Sequence, residues 1–352
     1  MPGHDIIVIG ASAGGVEALK QLVELLPADL PASIFVVLHV PSDGTSALPK
    51  ILSKWGSLPA YHPQDRESIL YGRIYIGPPD SHLLVKPGYI RLARGPKENG
   101  FRPAIDPLFR TAARVYGTRA VGVILSGTLD DGTAGLIAIK QRGGVTIAQD
   151  PNEALYPGMP MSAIENADID YVLPVSEIAS TLIRLANEEV EEGGEPVSDD
   201  MEIETDISEL EFDALHTYRR PGTPSRFTCP ECNGVLWEID DENLIRFRCR
   251  VGHAYSAETL LSEQTDSVEA AMWAALRALE ENVALTSRLA RRMQDRGHTI
   301  TAARFENQAR EADERAEIIR RVLVTRSPAD PAEPELTDTA TASTGGEASG
   351  SD

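Results

Sequence analysis

Short, unbroken apolar runs alternate along the first half of this chain with longer stretches whose apolar positions recur every three or four residues. Ile6-Ile7-Val8-Ile9 is one such run, and Val16, Leu19, Leu22, Val23 and Leu26 follow it at helical spacing. The same pattern predicts buried strands at 34–38, 120–125 and 145–148, a last strand at 171–173, and helices at 107–116, 133–141 and 178–187. Residues 73–76 and 82–85 also read as strands, the second pairing with 89–93 as a hairpin. Strand, helix and strand repeat in order, and the strands are apolar throughout rather than alternating. That combination predicts a doubly wound α/β fold, a mostly parallel sheet with helices on both faces, over residues 1–186.

Beyond residue 186 the pattern changes. Between 187 and 213 stand thirteen Asp and Glu and no Lys or Arg. Residues 187–225 are therefore expected to be a solvated, self-repelling acidic linker, with docking of a basic partner as the sharper alternative. Residues 226–255 hold all three cysteines. Val268, Met272, Ala275, Leu279 and Val283 then recur at helical spacing. After a break at Gly297-His298 so do Phe305, Ala309, Ala312, Ala316, Ile319 and Leu323. Residues 256–326 thus read as a helical hairpin whose stripes form a mutual core, or a surface for a second copy or a partner. Residues 327–352, rich in Pro, Ala, Thr, Ser, Gly and acid, read as a disordered tail.

Charge sharpens this division. Of the net −21, residues 1–186 contribute little, with 16 Lys and Arg against 18 Asp and Glu. The acidity lies in the C-terminal half, which argues against non-specific nucleic-acid binding. No run of eighteen apolar residues exists, so membrane insertion is not expected, and the start of the sequence lacks the features of a secretory signal. A cytoplasmic protein is the expectation.

The first strand breaks into Gly10-Ala11-Ser12-Ala13-Gly14-Gly15. A phosphate-cradling turn needs glycine where Ser12 stands, so the dinucleotide reading is weak. A tight turn lifting a nucleophilic serine fits. A serine hydroxyl needs a base, and the base an orienting carboxylate. His39 ends the second strand, and Asp130 and Asp131 follow the strand at 120–125. Three polar groups at three strand ends can converge on one crevice. Singly, Ser12 reads as a helix cap, His39 as a hydrogen-bonded structural residue and Asp131 as a cap of the helix after it. The order Ser, His, Asp is not that of α/β-hydrolases, which run Ser, acid, His.

As an ordered set, Gly10–Gly15, His39-Val40-Pro41 and the turn Gly127–Gly132 resemble the catalytic domain of chemotaxis protein-glutamate methylesterases, the CheB family. Pro78–Leu83, Arg102–Phe109 and Tyr156–Pro160 are further similar stretches, so the resemblance spans residues 4–186. It implies a serine hydrolase acting on γ-glutamyl methyl esters, with glutamine deamidation beside it, and no cofactor for catalysis. Ser12 would be the nucleophile, His39 the base and Asp131 its orienting acid. The backbone N–H groups of Ala13 and Thr128 would hold the oxyanion. His82, Arg102 and Met159 are second-rank candidates for the substrate cleft, and for His82 and Arg102 a loop anchor is an equal reading. Asp130 departs from the family, which usually has Asn there. The implied partners are a methylated chemoreceptor or similar helical signalling protein, and a chemotaxis-type regulator. Ser12 comes too early for the receiver domain of the best-known members, so regulation is expected from a partner or from the C-terminal extension.

Cys229-x-x-Cys232 and, after sixteen intervening residues, Cys249-x₃-His253 offer four ligands in two close pairs. That spacing suits a tetrahedral structural Zn²⁺, whose binding can stabilise a module too small for much of a core. The alternative is reduced thiols without metal. For the whole chain the competing function is a non-enzymatic signalling scaffold that binds partners through the zinc and helical extension.

Overall fold

The computed structural model describes residues 3–326, except 41–43, 45, 192, 194–195, 210–221 and 242–243. The tail expected at 327–352 lies outside the described residues. The chain divides into two compact units, Met1–Thr265 and Asp266–Asp352.

The first unit is built on seven parallel strands. β1 (Ile6–Ala11), β2 (Ser33–Leu38), β3 (Ala60–Tyr61), β4 (Arg73–Ile76), β7 (Ala120–Ile124), β8 (Val145–Gln149) and β9 (Tyr171–Leu173) stand in the order β3-β4-β2-β1-β7-β8-β9. The antiparallel hairpin β5 (His82–Lys86) and β6 (Tyr89–Ala93) forms a separate two-stranded sheet. Within β1 and β2 alternate residues enter two different cores. Ile7, Ile9, Ile34 and Val36 pack on one face, Ile6, Val8, Phe35 and Val37 on the other. Burial on both sides explains why these strands read as unbroken apolar runs.

Helices α1 (Gly15–Glu24), α2 (Leu48–Trp55) and α6 (Val175–Ala186) cover the first face. The second is covered by α3 (Ile105–Tyr116), α4 (Thr133–Gln141) and α5 (Gly158–Asn166). From β1 the chain winds outward through β2 and β4, then crosses back to β7 on the other side of β1. The order of winding therefore reverses between β1 and β7, and α1 and α4 leave on opposite faces. That reversal opens a crevice at the carboxyl ends of these two strands. The helices at 48–55 and 158–166 carry too short a pattern to be read from the sequence.

The acidic segment differs from its expectation. Asp199–Ser208 forms a helix, α7, with Met201, Glu204, Thr205, Ile207 and Ser208 buried. Ser198 caps it by accepting from the Met201 N–H (3.2 Å), and Asp199, Asp200 and Glu202 occupy the first turn, where the helix dipole favours them. After it, β10 (Thr223–Thr228), β11 (Val235–Asp241), β12 (Leu244–Cys249) and β13 (Ala254–Ser256) form a four-stranded antiparallel sheet.

α8 (Ala257–Asp295) and α9 (Thr299–Arg326) follow, separated at Gly297. In the second unit Leu276, Ala316 and Leu323 pack with Met272, Leu279 and Ile319. The second stripe is as expected. On the first helix Leu276 replaces Ala275 as the inward position and Val268 is exposed, because the seam steps by alternating fours and threes from Met272.

Candidate active site

Ser12 directly follows β1. Its N–H donates to the Ser126 carbonyl (3.0 Å) and its carbonyl accepts from the Gly15 N–H (2.9 Å), so the turn after β1 is tied to the end of β7. Gly14 sits at φ +71°, a left-handed position that glycine takes without steric cost, and it precedes α1 without a side-chain cap. Ser12 is therefore not a capping residue. Gly127 lets the two turns meet: a Cβ there would lie 3.0 Å from Ser12 Cβ and collide with the Met159 thioether.

The Ser12 hydroxyl faces His39 Nδ1 at 3.2 Å, and His39 Nε2 lies 2.7 Å from Asp131 Oδ2. An ionised carboxylate only accepts, so the ring hydrogen sits on Nε2 and Nδ1 is free to take the serine proton. The imidazole stacks face to face on Phe101, with centroids 3.7 Å apart and planes within 7°.

Asp131 is held from several sides. Oδ2 also accepts from the Ile105 N–H (2.7 Å), while Oδ1 accepts from Asn99 Nδ2 (2.9 Å) and the Asp106 N–H (3.3 Å). Two of these donors are the first N–H groups of α3, the positive end of that helix. Asp131 thus addresses α3 rather than capping α4, whose N-terminus begins at Gly132. Burial pushes its pKa up, but the bond and charge of His39 and the donors from Ile105 and Asn99 outweigh this and hold it below the ordinary carboxylate range. Asp106, beside it and buried, is pushed the other way, by burial first and then by the Asp131 charge.

Ser12, His39, Val40, Lys97, Gly100, Phe101 and Arg102 line a cleft of about 340 Å³. Of the three cleft candidates only Arg102 is among these residues. It pairs with Asp80 and donates to the Gly95 carbonyl (2.8 Å). His82 is fully buried, with Nε2 2.9 Å from the Pro96 carbonyl and Nδ1 accepting from the Ala104 N–H (3.3 Å). It anchors the loop beside the cleft and does not line it; its burial also lowers its pKa. Met159, fully buried, packs against Gly127 beneath the surface. Ala13 and Thr128 lie in the two turns that meet at Ser12, and neither N–H donates to a backbone carbonyl among the described residues.

Several supporting residues carried no signal in the sequence. Ser126 Oγ donates to the Ala13 carbonyl (2.8 Å) and accepts from the Tyr156 N–H (3.0 Å), and Gln149 accepts from the Ser126 N–H (2.9 Å). Asn99 and Phe101 belong to a loop whose Asn-Gly pair marks a turn but no chemistry.

The four expected metal ligands come together. Cys229 Sγ and Cys249 Sγ each lie 3.6 Å from His253 Nδ1, and Cys232 Sγ lies 3.7 Å from Cys249 Sγ. All four ligand atoms fall within 4.8 Å of one another. Thiolates bound tetrahedrally at about 2.3 Å stand roughly 3.8 Å apart, so this spread fits one zinc-sized ion. Among the described residues no helix is long and apolar enough to cross a membrane.

A serine, a histidine and an aspartate hydrogen-bonded in series at the switch point of a doubly wound parallel sheet define a class of α/β protein with the layout of a serine hydrolase. Residues 7–182 match the family profile described as CheB methylesterase. The chain belongs to the CheB methylesterase family. A protein-glutamate methylesterase/protein-glutamine glutaminase of Pyrococcus abyssi is 38% identical over 199 residues, covering 55% of this chain and 54% of that one. A putative enzyme of the same description from Leptospira interrogans is 38% identical over 190 residues and is covered to 98%. The crystal structure of the Thermotoga maritima CheB methylesterase catalytic domain matches with a TM-score of 0.50 and 38% identity, covering 51% of this chain and 98% of that one. The chain thus spans about half the length of some curated relatives and nearly all of others.

Proposed function

We propose that this protein is a protein-glutamate methylesterase. Its substrate would be a methylated chemoreceptor or a similar helical signalling protein, and glutamine deamidation a second reaction of the same site. The observation that carries this reading is the bonded series Ser12–His39–Asp131 at the mouth of a cleft. Ser12 Oγ attacks the ester carbonyl carbon while His39 Nδ1 takes its proton. Negative charge moves to the carbonyl oxygen, for which the Ala13 and Thr128 N–H groups are the candidate donors. One such donor is worth about 10²–10³ in rate. The intermediate collapses, and His39 returns the proton to the departing methoxide, giving methanol and an acyl-serine. Water, deprotonated by His39, then attacks the acyl carbonyl; glutamate is released and Ser12 regains its proton. Asp131 holds the imidazole tautomer and stabilises the imidazolium formed in each half. Lys97 and Arg102 line the cleft with their charges met, Lys97 by Glu231 (2.6 Å) and Arg102 by Asp80.

Cys229, Cys232, Cys249 and His253 would hold a structural zinc, all four positions being filled by protein ligands. No step of the ester chemistry passes through that metal. A cytoplasmic setting accords with the substrate and with cysteines gathered as ligands rather than paired.

Methanol release from a methylated chemoreceptor cytoplasmic fragment tests the reading. Wild type is expected to release it, and Ser12→Ala to be slower by at least about 10³-fold, as loss of a triad nucleophile is. Equal release by both would remove Ser12 from the chemistry, and no release by wild type would remove the substrate.

A further inference from the structure

The strand that follows the metal cluster is laid against the loop that supports the triad. The Ala254 N–H donates to the Lys97 carbonyl (3.2 Å), and the Asn99 N–H donates to the Ala254 carbonyl (2.8 Å). The Asn99 side chain, 5% exposed, then faces both ways. Its Nδ2 donates to Asp131 Oδ1 (2.9 Å) and Asp106 Oδ2 (3.1 Å), and its Oδ1 accepts from the Ser256 N–H (3.0 Å). Phe101, two residues on, stacks on His39. Asp130, the neighbour of Asp131, accepts from Ser256 Oγ (2.7 Å) and Thr259 Oγ1 (3.0 Å). Glu98 is gripped by Arg248 of β12 and by Arg110 of α3.

An amide offers donors at one end and an acceptor at the other. The Ser256 N–H can be accepted only by Oδ1, which obliges Nδ2 to point at the carboxyls. Turned over, the amide would press an oxygen against Asp131 Oδ1. We propose that Asn99 is a positioning residue for Asp131, and that the backbone N–H of Ser256 sets the direction of its amide. The extension is then a structural part of the active site. The proposal rests on the reading of Ser12, His39 and Asp131 as the catalytic series.

The test uses the full chain and needs no receptor. Ser12 is labelled with a fluorophosphonate, and the downfield proton resonance of the His39 Nε2–H is recorded. Asn99→Ala and Ser256→Pro, which removes the gripping N–H, are compared with Ser256→Thr, which keeps both that N–H and the hydroxyl bonded to Asp130. The first two are expected to slow labelling by about ten- to a hundredfold, as displacement of a reacting group does, and to shift or broaden the His39 resonance. Ser256→Thr is expected to keep both nearer wild type than Ser256→Pro does. Wild-type labelling and an unchanged resonance in a folded Asn99→Ala would overturn the proposal. So would a Ser256→Thr loss as large as that of Ser256→Pro. Independently of any variant, the Asn99 side-chain amide protons of the wild type are expected to exchange slowly with solvent, and fast exchange would overturn it. A wild type that takes no label would instead refute the catalytic series, so the two failures are told apart.

Discussion

Asp130 is a charge placed where a neutral amide would do the same hydrogen bonding. Its carboxyl is pushed up to about 6, chiefly by burial, although Ser256 and Thr259 donate to it and pull the other way. In the unfolded chain the same group titrates near 3.8. Between these values the folded state binds more protons than the unfolded one, so this residue makes stability fall as pH rises from about 4 to about 6. The displacement is worth up to about 3 kcal/mol at neutral pH. Asn keeps an acceptor for both hydroxyls and carries no charge. Asp130→Asn is therefore expected to raise the thermal midpoint at pH 7.5 and to change it little at pH 4. Scans of both proteins across that range check it, and a difference independent of pH would contradict the assignment. Glu98 works in the opposite sense. Burial raises its pKa, but Arg110 and Arg248 outweigh this and hold it at about 2, so its contribution is full above about 4.5 and is lost as pH falls toward 2.

At the scale of elements, α7 shows how a run of like charges becomes ordered. Glu204 projects from it onto β12, accepting from both Arg246 (2.8 and 3.0 Å) and Arg248 (2.9 and 3.1 Å). Arg248 is 1% exposed, so this pair is desolvated. On the outer side of the same helix Arg114 meets Glu202 (2.6 Å) and Asp206 (3.1 Å) nearer solvent. Breaking a buried pair strands its partner and costs about 3–5 kcal/mol, whereas an exposed pair is worth about 0–1 kcal/mol. Glu204→Ala should thus destabilise the first unit severely and Glu202→Ala hardly at all. Denaturant titration of the two variants decides the matter, and equal effects would mean that α7 is held by something other than its buried carboxylate.

For the whole molecule, the cluster of three cysteines and His253 and the parallel sheet lie in one compact unit and are joined through β13. Purified protein is expected to carry one zinc per chain by elemental analysis. A strong chelator should lower the thermal midpoint and open Cys229, Cys232 and Cys249 to a thiol reagent. It should also slow Ser12 labelling, because residues 97–99 pair with the strand that the cluster holds. Metal-free protein with unchanged midpoint and thiols that stay protected would separate the cluster from stability.

The sequence by itself determined the central strands of the parallel sheet, because a strand buried on both faces must be apolar at every position, as 6–9 and 34–38 are. It pointed to Ser12 and His39, each a polar residue just after such a run, whereas Asp131 was told from its neighbour Asp130 only by the family resemblance. It also singled out the four candidate metal ligands, which come as two local pairs. Tertiary structure alone decided what surrounds them. Asn99 and Phe101 acquire roles only through Asp131 and His39, which lie 32 and 62 positions away, and no local period records such distances. His82 left the cleft because its ring nitrogens face the Pro96 carbonyl and the Ala104 N–H inside the fold. The acidic segment became a helix because its counter-charges, Arg110, Arg114, Arg246 and Arg248, come from α3 and β12. Charge along the chain is a local property, whereas the field that each charge meets is set by what folds against it.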